Sequence, residues 1–119
     1  MADRDRPQYY IAWMSAVQPA PDPLLPIAEI RKQHQDYLRE LEATGVLLAA
    51  GPFRDADGNR HGAGMMIVRA SSAEQADAIS AAEPYRKYGI RTHSLTPWQW
   101  REGAISQTVR IKAGTFDFG

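Results

Sequence analysis

The sequence predicts an α+β domain of order β-α-β-β-α-β, a four-stranded antiparallel sheet with two helices on one face. Three observations predict it. Two stretches repeat apolar residues every three to four positions, four short apolar runs of strand length flank them, and Gly-Pro and Asp-Gly pairs fall between the runs. A chain of 119 residues is the length of one domain. The expected bounds are a domain over 1–98, ordered from about residue 8, and a C-terminal extension over 99–119.

Each element has its own warrant. Residues 1–7 are charged and end at Pro7, which predicts a frayed start. Tyr9 to Ala16 is aromatic-rich and mostly apolar, and reads as a central strand buried on both faces. Four prolines between Pro19 and Pro26 forbid regular pairing, and Pro26 suits a first helical position. Ile27, Ile30, His34, Tyr37, Leu38 and Leu41 then fall on one helical face, and Gly45 is a suitable left-handed residue after the helix. Val46 to Phe53 reads as a strand, residues 54–64 as a glycine-rich turn built on Asp57-Gly58, and Gly64 to Ala70 as its partner strand. Ser71 with Glu74 forms a capping box that opens a helix running to Ala82. Pro84 disfavours helical geometry at Glu83, a turn follows, and Ile90 to Trp98 makes the fourth strand. This is the split βαβ, or ferredoxin-like, order, whose two crossovers put both helices on one face. The other face is left apolar and bare, and self-association through it is the economical cover. In the extension, TVRIK could add a strand, and the tail either wraps a partner subunit, closes a pocket or is disordered.

Composition narrows function. Fourteen basic and fourteen acidic residues cancel, which speaks against nucleic acid or an anionic membrane as partner. There is no cysteine, so disulfides, thiolate nucleophiles and thiolate metal sites are excluded. The polar start lacks an apolar signal region, and no run approaches the roughly 20 apolar residues of a membrane span. A cytoplasmic protein is expected.

His34 is the anomaly. In the middle of an apolar stripe its ring points towards the sheet, where it is either a core histidine bonded to a carbonyl or a proton-transfer group. Asp55, just past the second strand, either orients that imidazole or serves the turn, as Asp57 does. Arg54 either binds a substrate carboxylate or enolate or is a solvated loop charge. Tyr85 plugs a pocket or donates a phenolic proton. Trp13 and Met14 line the barrel, where Trp13 would touch substrate, or the dimer core. His61 and His93 share no metal-ligand spacing with His34, so neither metal nor cofactor is expected. Ser15 and Ser94 lack a nucleophile elbow, and GAGMM lacks dinucleotide-binding spacing.

The run His34, Leu38, Leu41, Gly45, Leu47, Ala50, Gly51-Pro52 resembles the YCII-related (YciI-like) family. The likeness continues through Asp57-Gly58, Gly64, Ser72, Glu74, Ala76, Pro84-Tyr85, Gly89 and Pro97-Trp98. It implies a dimeric α+β barrel with a His and an Asp in its site, which carry over to His34 and Asp55. Two departures stand out. Glu83 replaces the family's usual Asp before Pro-Tyr, and the last 21 residues exceed the usual domain. One resembling group removes chloride from a chlorinated hydroxyquinol, and related barrels isomerise lactones or oxidise aromatics without a cofactor. The implied function is a cofactor-independent lyase or isomerase acting on a small aromatic, quinol or lactone-type substrate. The alternative is a non-catalytic small-ligand or interaction module.

Overall fold

The computed structural model describes residues 8–103, so the expectations for 1–7 and for the TVRIK and TFDFG segments lie outside the described residues. The elements run β1 (Tyr9–Ala16), α1 (Ile27–Ala43), β2 (Leu47–Arg54), β3 (Arg60–Arg69), α2 (Ala73–Ala81), α3 (Pro84–Lys87) and β4 (Arg91–Trp98). The sheet has the order β2-β3-β1-β4, and every pair is antiparallel. Its helices lie on one face, as the ferredoxin-like order requires.

Strand alternation decides what the sheet buries. Tyr10, Ala12 and Met14 of β1 and Met66 and Val68 of β3 point to the helices and are buried. They meet Leu38 and Leu41 of α1 and Ala76 of α2. Ile30 is also fully buried. The odd positions of β1 face away from the helices, and Trp13 there is exposed. Within one chain β1 is therefore buried on its helix-facing side alone. Apolar residues occupy both sets of positions, which hides the period of two from a reading of the sequence.

Chain punctuation departs from expectation in three places. Pro26 is the residue before α1 rather than its first helical one. The hairpin turn is confined to 55–59, and β3 begins at Arg60. There the Asp55 carboxylate accepts from the backbone N–H of Asp57 and Asn59, closing the loop early. The α2 cap is Ser72, whose Oγ accepts from the Gln75 N–H, while the Gln75 side chain reaches back to Ser71. The cap is therefore one residue later than Ser71 and Glu74 suggest, and the return bond goes to Ser71, the residue before it. Gly45 does follow α1 with a φ of 76°.

Glu83 has the extended backbone that a following proline imposes. Pro84 then opens a one-turn helix where a simple turn was expected. Gly64 lets two strands approach: a Cβ there would lie 2.6 Å from the Gly51 carbonyl oxygen. Among the described residues no helix is long and apolar enough to cross a membrane.

Candidate active site

A cavity of about 390 Å³ opens between α1 and the helix-facing side of the sheet. Met14, Leu38 and Met66 give it an apolar floor, and Ala50, Gly51, Pro52 and Gly64 form one wall. His34, Gln35, Glu83 and Tyr85 supply polar groups, with Arg31, Arg60 and Arg91 beside them.

His34 reaches this cavity because it sits one turn after Ile30 and one before Leu38, on the stripe that α1 turns inward. Its side chain keeps 19% of its surface exposed, enough to meet a ligand. Its Nδ1 pairs with Glu83 Oε1. Glu83 is 1% exposed, and its Oε2 accepts from the Arg86 N–H at 3.3 Å. The carboxylate is therefore both the cap of α3 and the partner of the imidazole. An ionised carboxylate on Nδ1 places the ring proton there and leaves a lone pair on Nε2. Among the described residues no side chain engages Nε2.

The Tyr85 ring lies 4.8 Å from the His34 ring, and the Arg91 guanidinium lies 4.2 Å over the other ring of that stack, Tyr85. Beside this column the Tyr37 hydroxyl donates to the Ile79 carbonyl at 2.8 Å, tying α1 to α2. Burial raises the Tyr37 pKa, and the carboxylates of Glu83 and Glu40 add to the effect.

The residues singled out from the sequence divide between the cavity and elsewhere. His34 and Tyr85 line it together. Asp55 does not approach His34; its Oδ2 meets His61 Nε2 at 2.6 Å in the hairpin. That bond, helped by the Asn59 N–H, holds the Asp55 pKa below its ordinary value. Arg54 is exposed and donates from Nε to the Gly58 carbonyl at 3.0 Å. Trp13 lies across the sheet, its indole N–H on Thr96 Oγ1 at 2.9 Å and its ring 5.9 Å from Phe53. His93 pairs with Asp77 at 2.7 Å and accepts from Arg86 Nε at 3.1 Å. Among the described residues no three His, Cys, Asp or Glu side chains converge as a metal site.

The correction that matters chemically is the partner of His34. Glu83 takes the place expected of Asp55, because the pre-proline residue, as the N-cap of α3, meets the imidazole while the hairpin holds Asp55 on His61. The signal was present in the sequence as the carboxylate before Pro84-Tyr85. Arg31, Arg60 and Arg91 carry no such mark, and only the fold assembles them.

The model of the YCII-related domain matches residues 11–99. The chain belongs to the YCII-related family. A solved structure of 5-chloro-2-hydroxyhydroquinone dehydrochlorinase from Burkholderia phenoliruptrix AC1100, in complex with 2,5-dihydroxybenzoquinone, has a similar fold. It superposes with a TM-score of 0.52 at 15% identity, over 80% of this chain and 95% of that one. No curated protein sequence matches the chain. At this identity the likeness shows the fold, and the YCII-related chain's chemistry has to be argued from its own cavity.

Proposed function

We propose that this YCII-related protein is a small cofactor-independent lyase or isomerase that moves a proton on a small aromatic, quinol or lactone-type substrate. The observation that carries this reading is the buried Glu83 holding Nδ1 of a His34 whose ring opens onto a cavity. Nε2 takes a proton from a hydroxyl or an activated carbon of the substrate, and the electron pair left behind moves into the conjugated system. In an elimination the leaving group departs with its bonding pair; in an isomerisation the imidazolium returns the proton elsewhere. Glu83 stabilises the imidazolium and fixes its orientation. The dehydrochlorinase with a similar fold supports the lyase version, and its quinone ligand supports the substrate class.

The outer sheet face supports a homodimer closed through it. Trp13, Phe53 and Trp98 are each more than a third exposed there. Such a patch on a small domain is normally covered.

Turnover of chlorinated hydroxyquinols and small lactones tests the reading. A positioned acid–base group contributes about 10²–10⁴-fold, so His34→Gln is expected to lose that factor while keeping the fold by circular dichroism. A substrate turned over equally by wild type and His34→Gln sinks the proposal.

A further inference from the structure

The charges around the cavity are unbalanced. Arg31 of α1, Arg60 of β3 and Arg91 of β4 line it, Arg31 and Arg60 exposed at its rim, and Glu83 is the one carboxylate among its lining residues. That carboxylate is already engaged by His34 and by the Arg86 N–H. Ion pairs among the described residues bring no acid to the three guanidinium groups, although the whole chain has a formal net charge of zero. Arg91 is held over Tyr85, which in turn rests on His34, so a positive charge stands two rings from the proton-transfer nitrogen. Like charges gathered at a concave site repel one another until an anion enters, and the low-dielectric walls concentrate their field. Planar forked donors also suit a planar oxyanion better than a neutral carbonyl. The floor of Met14, Leu38 and Met66 is apolar, which suits a ring rather than a strongly hydrated ion.

We infer that the cavity selects a small planar aromatic anion, a carboxylate or an ionised enol or phenol, with Arg31, Arg60 and Arg91 as its specificity determinants. This rests on the acid–base reading and deepens it by naming the charge of the substrate. The same cations would hold the charge that appears when His34 takes a proton, so the bound species gains attraction as the reaction proceeds.

Calorimetric titration of the full chain with 2-hydroxybenzoate and with its neutral counterpart, 2-hydroxybenzamide, tests the inference. The carboxylate is expected to bind at least about tenfold more tightly, with an advantage that shrinks as salt is added. Arg31→Gln, Arg60→Gln and Arg91→Gln should each reduce the advantage, and Arg→Lys at the same positions should retain part of it. The amide serves as the folding control, since a collapsed variant loses both ligands and the lysine series then decides. Equal affinity for amide and carboxylate, binding of neither, an advantage untouched by all three replacements, or inorganic phosphate binding as tightly as the carboxylate would each overturn the inference. His34→Gln separates the two proposals. It should keep the preference for the carboxylate while losing turnover. A lost preference with His34-dependent turnover overturns only the anion inference, and a kept preference with His34-independent turnover overturns only the acid–base reading.

Discussion

Glu83 has two acceptor oxygens and two separate duties, one towards an imidazole and one towards a backbone N–H. The duties can be separated by substitution. Glu83→Gln keeps the side chain's length and can still accept from Arg86, but it removes the charge that stabilises an imidazolium. A general base that loses its orienting carboxylate loses part or all of the roughly 10²–10⁴-fold it contributes. Glu83→Gln is therefore expected to lower turnover up to that limit, with a smaller change in thermal stability, as measured by kinetics and melting in parallel. Glu83→Ala also strips the cap and leaves the His34 N–H unpaired, adding roughly 1–3 kcal/mol of destabilisation. Tyr37 offers a pH test at the same scale. Burial holds its folded pKa above the ordinary value of 10.0, so the native state holds the phenolic proton more tightly than the unfolded chain does. Its contribution to stability is full below about pH 10 and falls as pH rises from the unfolded towards the folded value. Urea midpoints measured across that range should fall in the wild type and flatten in Tyr37→Phe. Asp55 has the opposite sign. Its depressed pKa gives support that is present above its ordinary value of 3.8 and is lost as pH falls through the folded one, so Asp55→Asn should flatten the acid limb of the stability profile in urea titrations.

At the scale of elements, apolar periodicity was legible wherever one face alone was buried. The stripe of Ile30, His34, Leu38 and Leu41 located α1 and aimed His34 correctly. Gly45, Pro84 and the four strands were equally readable from local chemistry. Two things were not. A strand with apolar residues on both faces does not reveal which face meets the helices, and within one chain only the even positions of β1 do. A glycine-rich stretch does not reveal where pairing resumes, so the sequence places Arg60 and His61 in a turn, whereas they start β3. The site suffered from the same cause. Its histidine follows from periodicity, but its carboxylate and three arginines come from four different elements and meet only through tertiary contacts. The caps are testable: Ser72→Ala should cost about 1 kcal/mol in denaturant titration, because only Oγ meets the Gln75 N–H. Gly64→Ala should destabilise the β2–β3 pair, since its new methyl would meet the Gly51 carbonyl.

For the whole molecule, the sheet is sided. One face carries the buried core and the cavity, and the other carries Trp13, Phe53 and Trp98. The proposed dimer through that outer face predicts a concentration-dependent molar mass by analytical ultracentrifugation. Trp13→Glu should shift it towards the monomer, since burying an unpaired carboxylate opposes association. A monomer in the wild type at high concentration would count against the dimer and leave the cavity argument intact.

One small element links these scales. The four residues of α3 are too few to persist as a helix by themselves. Yet they carry Tyr85 against His34, and Arg86 touches both Glu83 and His93. Global unfolding is not needed to silence the site. Release of this single turn removes the Tyr85 ring from His34 and both Arg86 contacts, to Glu83 and to His93, while the sheet stays paired. Activity should accordingly fade at lower denaturant than the loss of β-sheet circular dichroism, and the amides of residues 86–89 should exchange before those of β1.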